Sequence, residues 1–281
     1  MRKLRLSPYY LNMNENLEGL IPVWNFETHE DVLVEVDSFQ MILWKDGLSV
    51  FGYCKNGNVL KVITYLFDQE WDVAALETIF ENHPIFASNE PFTNIWLAEE
   101  RNIIIPEHLF EKGYADEWIR KFHHLDLKET LISVHLDPYL KAFFVFPILD
   151  EVHTLLKEHF ENSKINTLSK LALATPEDTK QTLVKIINLP KLALISFIHE
   201  GKFILHQSTS YEKTEDIIYK IALILQEKGI SQDQINLSLE GIAPFWNNLI
   251  DDLKDFFPLK IGNQESKNLT LDFLNSLYKC E

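Results

Sequence analysis

One pattern recurs in this chain: three short β-prone runs parted by tight turns, then a helix, then a further β-prone run. In "WKDGLSVFGYCKNGNVLKVITYLF" (44–67) the dipeptides Asp46-Gly47 and Asn56-Gly57 separate runs at 38–45, 48–55 and 58–66. Both dipeptides tolerate the positive φ angles of hairpin turns. "DQEWDVAALETIFENHP" follows, with Trp71, Ala74, Ala75, Ile79 and Phe80 at helical spacing until Pro84 stops the run. "FTNIWLA" (92–98) reads as the next strand. The second occurrence begins with "LVKIINLPKLALISFIHEGKFILHQSTS" (183–210), where turns fall at Leu189-Pro190 and Glu200-Gly201. A helix ended by Gly229 and the strand "INLSLEG" (235–241) complete it. The Gly57 and Gly201 turns, the helix starts near Trp71 and Asp216, and the two final strands align at an offset of roughly 144 residues, as a duplicated β-β-β-α-β-α unit would leave them.

Two such units side by side describe an α/β chain of duplicated ribonuclease-H-like halves, the actin-like ATPase fold. The long helices expected at 149–160 and 213–228 must cover sheet faces, which disfavours a β-sandwich. The expected division is an irregular arm at 1–30, a first half at 31–160 and a second half at 161–281. The arm, with "NMNENLEG", shows neither helical nor strand period. The first half adds helical turns at 106–125, broken near Gly113, and strands at 131–135 and 142–146. A chain of 281 residues that is 46% hydrophobic can build both cores.

Charge narrows the partners. Against 26 basic side chains stand 42 acidic ones, a net −16 that repels phosphate backbones and anionic headgroups. Neither nucleic acid nor membrane insertion is expected. The longest apolar stretches, such as "AFFVFPIL" (142–149), fall far short of the ~18 residues of a spanning helix. Cys54 and Cys280 sit on an expected strand and at the chain's tip, so no structural disulfide is anticipated. The first twenty residues contain no continuous apolar segment of a secretory signal. A cytoplasmic location is the expectation.

"IPEHLFEKGYADEWI" (105–119) and "GKFILHQSTSYEKTEDIIYKIALILQEKGISQDQINLSLEG" (201–241) resemble the two most characteristic blocks of domain-of-unknown-function family 3822, a bacterial family. The resemblance covers most of residues 32–262. It implies a fold similar to actin-like ATPases, including bacterial cell-division and pilus-assembly actin homologues. It brings no established activity, catalytic residue or cofactor.

Actin-like ATPases hold ATP between their halves, with an Asp-x-Gly turn after the first strand of each half and a Gly-Gly turn near the adenosine. Turn amides approach the phosphates while carboxylates orient Mg²⁺ and water. Here the first turn is Lys45-Asp46-Gly47, with lysine two residues before the glycine and Asp46 one place out of position. Period-2 geometry would send the Asp46 side chain to the face opposite the expected carboxylate, although a tight turn can relax that rule; a hairpin turn is the plainer account of the dipeptide. The second turn reads Asn188-Leu189-Pro190, a neutral ligand followed by a residue without an amide hydrogen. The adenosine turn survives as Glu240-Gly241-Ile242, with one glycine and a carboxylate that would repel triphosphate. Asp46, Gly47, Asn188, Glu240 and Gly241 are thus the candidate, degenerate cleft positions.

Other chemistry is weaker. His123, His124, His135 and Asp137 supply no fixed tetrahedral spacing for a metal. His199-Glu200 lacks the second histidine of a zincin helix. Thr214, Glu215 and Asp216 suit a helix start, and Ser238 lies mid-strand rather than on a nucleophile elbow. Most of the tryptophans and the 19 phenylalanines fall on apolar faces, but Trp44, beside an exposed turn, is expected to mark a contact surface. The leading expectation is a non-catalytic protein-interaction or scaffold module, without cofactor, for a protein partner not identified by the sequence; a homo-oligomer is compatible with it. The alternative is a divergent ATPase using ATP with Mg²⁺, in which Asp46 or Glu240 has taken over metal binding. An enzyme acting on another ligand in the cleft is the third class.

Overall fold

The structure, a computed structural model, describes residues 22–27, 35–137, 140–173, 182–242, 247–257 and 269–278. Of the expected arm, residues 1–21 and 28–30 lie outside these. Within it, Trp24–Glu27 form strand β1, antiparallel to β4 (Val59–Leu66). β2 (Ser38–Trp44) and β3 (Gly47–Tyr53) complete the antiparallel meander with β4. After helix α1 (Val73–Asn82), β5 (Phe92–Ala98) returns parallel to β2. Asp72 caps α1 by accepting from the Ala75 amide at 3.0 Å, satisfying one of the free first-turn donors. β6 (Ile103–Pro106), α2 (Ala115–Arg120), β7 (Glu129–His135) and β8 (Ala142–Leu149) build a separate three-stranded antiparallel sheet, order β6-β8-β7. α3 (Asp150–His159) and β9 (Lys164–Thr167) bring the chain back, and β9 pairs in parallel with β5. The first sheet therefore runs β1-β4-β3-β2-β5-β9 and extends past residue 160.

The short helix α4 (Ser169–Leu173) leads to the second sheet of β10 (Thr182–Leu189), β11 (Leu192–His199), β12 (Lys202–Ser210) and, after α5 (Thr214–Lys228), β13 (Ile235–Gly241). α6 (Asn247–Phe256) and α7 (Leu269–Tyr278) follow. The order β12-β11-β10-β13 repeats β4-β3-β2-β5, a meander with a fourth strand parallel to the first. The α/β expectation of paired ribonuclease-H-like sheets thus describes the molecule.

Alternation along the strands assigns each face. In β2, Met41 and Leu43 meet α1 and α3, whereas Ile42 and Trp44 face the other way. That second face of the first sheet and one face of the second share a single apolar cluster, joining Ile42, Trp44 and Trp96 to Ile187, Leu189, Leu192 and Leu194. The far face of the second sheet is covered by α5 and α6. Both sheets are buried on two sides, which accounts for their nearly unbroken apolar runs.

Two helices cross between the sheets. α4 follows the first sheet yet packs on β10, β11 and β12; α7, which the sequence did not suggest, contacts both β13 and β4. The Tyr53 hydroxyl donates to the Leu274 carbonyl at 2.9 Å, and the Tyr53 and Tyr278 rings lie 5.2 Å apart.

Trp44 corrects the sequence reading. It is fully buried in the shared cluster, so it marks no contact surface, and its indole Nε1 has no hydrogen-bond partner. Trp44→Ala should lower unfolding free energy by about 3–5 kcal/mol through lost contacts and a cavity. Trp44→Phe should cost distinctly less, since it also removes an unpaired buried N–H. Urea unfolding of both variants checks this; an alanine variant as stable as the parent would refute the packing account.

Candidate functional site

The first-strand hairpin of each sheet points into the seam between the sheets. Trp44 pairs with Gly47, which makes Lys45-Asp46 the two turn residues. Gly47 is therefore the first residue of β3, not a turn glycine with positive φ. Close approach is what requires it: an added Cβ would stand 2.3 Å from the Tyr65 carbonyl oxygen. In the second sheet Leu189 pairs with Leu192, and the turn is Pro190-Lys191 rather than Leu189-Pro190, with Lys191 at φ 61°. Matching the two hairpins sets Asp46 opposite Lys191.

They meet. Lys191 Nζ lies 3.6 Å from Asp46 Oδ1. Asp46 is buried, and its carboxylate reaches the other sheet's turn. Its second oxygen, Oδ2, is buried without a hydrogen-bond partner.

Asn188 and Gly241 are also adjacent, as register partners in the parallel β10–β13 pair. Ile242 donates its amide to the Asn188 carbonyl at 3.2 Å. Gly241 has φ 133°, and a Cβ there would fall 2.0 Å from the same carbonyl oxygen, so backbone contact demands this glycine. The Asn188 side chain is fully buried, with neither Oδ1 nor Nδ2 in a hydrogen bond of acceptable geometry. The nearby Tyr211 hydroxyl donates instead to the Leu189 carbonyl at 2.9 Å. Burial raises the Tyr211 pKa, and the approach of the Asn188 amide opposes this weakly. Glu240 reaches Lys185 Nζ at 3.3 Å, and that ammonium also donates to the Leu171 carbonyl at 2.8 Å.

A segment the sequence reading passed over lines the rest of the seam. Glu99, Glu100, Arg101 and Asn102 follow β5 at its carboxyl end, where open α/β sheets collect their polar groups. A run of charges directly after an apolar parallel strand was the available signal. Glu100 accepts from the Ser210 hydroxyl at 2.6 Å and its amide at 3.1 Å, and Asn102 Nδ2 donates to Ser208 Oγ at 3.1 Å. Lys45 joins Glu70 at 2.7 Å and Glu100 at 3.7 Å. Burial pushes the Lys45 pKa down, but Glu70, Glu100 and Asp46 outweigh it and leave it raised.

Glu99 itself is buried, and Oε1 accepts from the Glu100 and Arg101 amides at 3.0 and 3.2 Å. Oε2 is unpartnered. Burial outweighs these amides and the Arg101 guanidinium, pushing the pKa up to about 7. Arg101 is chiefly engaged by Glu129, at 2.5 and 3.2 Å.

Below the seam His206 is fully enclosed, with Nδ1 2.8 Å from Ser196 Oγ and Nε2 2.9 Å from Ser169 Oγ of α4. Burial lowers its pKa to about 3, so the ring is neutral, donating through one nitrogen and accepting through the other.

The remaining candidates are dispersed. His123 meets the Asn102 carbonyl, His124 lies 3.5 Å from Asp126, and His135 packs on Phe143. Among the described residues no group of three or more His, Cys, Asp or Glu side chains is arranged to hold a metal ion. His199 Nδ1 and Thr182 Oγ1 are 2.7 Å apart. Asp216 accepts from the Glu212 and Lys213 amides at the start of α5, as a helix-start carboxylate does.

The sheet order and the facing hairpins define the class: a protein with the actin-like ATPase fold. A protein of this fold and unknown function from Bacteroides thetaiotaomicron VPI-5482 superposes with a TM-score of 0.69 at 21% identity, over 87% of this chain and 96% of the other. A chain of the PilM-PilN type IV pilus biogenesis complex gives a TM-score of 0.52 at 13% identity, over 86% of this chain and 97% of the other. No curated protein matches the chain in sequence. The chain belongs to the family described as "Protein of unknown function (DUF3822)", which matches residues 41–259. Among the described residues no helix is long and apolar enough to cross a membrane.

Glu99 and His206 act oppositely on stability. Between its ordinary 4.5 and about 7 the folded state holds a proton on Glu99 that the unfolded state has released, so this contribution falls as pH rises. Between about 3 and 6.5 the unfolded state holds a proton that folded His206 refuses, so that contribution rises with pH. From pH 4.5 to 6.5 the two slopes, each at most about 1.4 kcal/mol per pH unit, offset one another. Glu99→Gln should therefore steepen the loss of stability on acidification, and His206→Gln should reverse its sign relative to Glu99→Gln. Urea unfolding across pH 4.5–7 reads both; parallel profiles for the two variants would contradict the assignment.

Proposed function

We propose that this chain is a non-catalytic protein-interaction module of the cytoplasm whose seam no longer accepts a nucleotide. The observation that carries this reading is the Asp46–Lys191 pair at 3.6 Å, formed by the two turns that in an actin-like ATPase flank the phosphates. The ammonium of one turn takes the carboxylate of the other, which removes both the ligand a metal would use and the space between the turns. Pro190 offers no amide hydrogen to a phosphate. Trp44, Leu189, Leu192 and Ile242 pack together directly behind the turns. Gly241 is held by its backbone contact with Asn188, and Glu240 by Lys185, so neither is set aside for an adenosine. The donor set does not fit a magnesium triphosphate.

This reading includes the division into an arm at 1–30 and two halves meeting near residue 160, with β9 (Lys164–Thr167) carried by the first. It leaves the partner unspecified: the superposed pilus-biogenesis chain supports the fold alone. One observation favours the second reading, a divergent ATPase. Asp46 Oδ2 and Glu240 Oε2 are buried without partners, and both are atoms a cation would use.

Calorimetric titration with ATP and ADP, each with and without Mg²⁺, to about 1 mM, detects affinities down to roughly −4 kcal/mol. No saturable heat is expected from any of the four. Saturable Mg²⁺-dependent binding that is lost in Asp46→Asn would overturn the proposal in favour of the second reading.

A further inference from the structure

The short segment that leaves β5 ties all three sheets together. Glu99 turns back on its own backbone, its Oε1 accepting from the Glu100 and Arg101 amides at 3.0 and 3.2 Å. The residues after it reach outward. Glu100 accepts from the hydroxyl and amide of Ser210, and Asn102 Nδ2 donates to Ser208 Oγ, so two side chains join the end of β5 to β12 of the second sheet. Arg101 gives its two terminal nitrogens to Glu129 of β7, at 2.5 and 3.2 Å. Ile103 begins β6, so this segment is also the stem of the inserted sheet. Glu99 is enclosed at the root of the stem, 5% exposed.

The cations near Glu99 are already engaged. Arg101 is spent on Glu129, and its Nε stays 3.8 Å from Glu99 Oε1, beyond hydrogen-bond reach. Lys45 of the β2–β3 turn acts on Glu99 from a distance, but is bound to Glu70 at 2.7 Å and shared with Glu100. Glu99 Oε2 is buried without a partner. Such an enclosure tolerates the neutral carboxyl and resists the carboxylate, which is why the pKa is pushed up to about 7. An ionised Glu99 recovers its hydration by drawing its turn into water, and the turn carries Glu100 and Asn102 with it. The core need not part for this, since Trp44, Trp96 and Leu189 pack in the shared cluster and not in the stem. The other ionisable neighbours are Glu129, Asp126 and His124, all acting through Arg101 or its partner, and His123, whose Nε2 meets the Asn102 carbonyl at 3.0 Å. β12 contributes the hydroxyls of Ser208 and Ser210.

We propose that residues 99–102 form a proton-operated latch: with Glu99 protonated they fasten the end of β5 to β12, and ionisation of Glu99 releases the Glu100–Ser210 and Asn102–Ser208 joints while the core stays closed. The latched state keeps a proton that the released state, with Glu99 in water, gives up. Release is therefore favoured as pH rises from the ordinary 4.5 to about 7, and changes no further above that. The latch concerns how the rim of the seam is held, not what the seam binds, so it is decided separately from the nucleotide titration.

The Ser210 amide, bonded to Glu100 Oε1 at 3.1 Å, reports the latch. Its hydrogen-exchange protection, read by NMR on the full chain without ligand and corrected for the intrinsic pH dependence of exchange, should fall about tenfold per pH unit from about pH 5 towards 7 and then level off. The Ile186 amide, on a central strand of the second sheet, should hold its protection up to about pH 6.5, where Glu99 and His206 offset one another in global unfolding. Glu99→Gln, neutral at every pH, should keep Ser210 protected and abolish the slope. The carbon-13 shift of the Glu99 carboxyl in the parent needs no variant, and its midpoint should lie near about 7. A flat Ser210 profile in the parent, a slope that survives Glu99→Gln or vanishes in His123→Gln, a parallel fall at Ile186, or a Glu99 midpoint below about 5 would overturn the inference.

Discussion

Everything in this molecule leans on the apolar cluster shared by the two sheets. One face of each is given to it, and the helices that fill the space are exchanged: α4 leaves the first sheet and packs on the second, while α7 leaves the second and reaches β4. Each helix is tied by the chain to one sheet and by packing to the other. Parting the sheets would expose Trp44, Trp96, Leu189 and Phe273 together, fully buried side chains worth roughly 1.5–3 kcal/mol each in transfer free energy. The closed arrangement is thus held from beneath, by burial.

That order of causes matters for the polar rim. Lys191 is 64% exposed at its side chain, and a pair of this kind contributes little to stability. Asp46–Lys191 does not hold the sheets together; the core brings the turns close enough for the pair to form. Its consequence is local: the carboxylate of one turn and the ammonium of the other face each other. The same burial acts on the neighbouring groups in proportion to their enclosure. Glu99, with two amides and a guanidinium near it, still rises to about 7, and His206, with only two hydroxyls, falls to about 3. In both cases desolvation outweighs local hydrogen bonding.

The fold was legible where local chemistry repeats. Asn-Gly and Glu-Gly turns, a helix stopped by His83-Pro84 and another by Gly229 each act within a few residues, and they place the two meanders and their helices. Trp44 was misjudged because proximity in sequence to a turn carries no information about what the turn packs against. Gly47 was read as a turn residue from its dipeptide; the register moved the turn back by one, since Gly47 is fixed by the Tyr65 carbonyl beside it. Residues Trp24–Glu27 carry too short a run to show alternation and become a strand only through pairing with β4. Asp46 lies at the seam, but its partner could not be found in the sequence, because Lys191 has no motif and meets Asp46 only after two hairpins have been set face to face.

The seam and the inserted sheet divide the surface by the same physical rule applied in opposite directions. At the seam, polar groups lie over a deep core and are consumed by one another: Glu100 by Ser210, Asn102 by Ser208, Asp46 by Lys191. On the inserted sheet the core is small, built around Ala115, Ile119 and Val145 with Trp118 packed against it, and the short helix α2 leaves the flanking Tyr114 and Phe122 uncovered. The surplus apolar surface is left facing water. Depth of core thus decides the outcome at each place: over a deep core polar groups find partners within the chain, and over a shallow one large apolar side chains such as Phe122 stay in water.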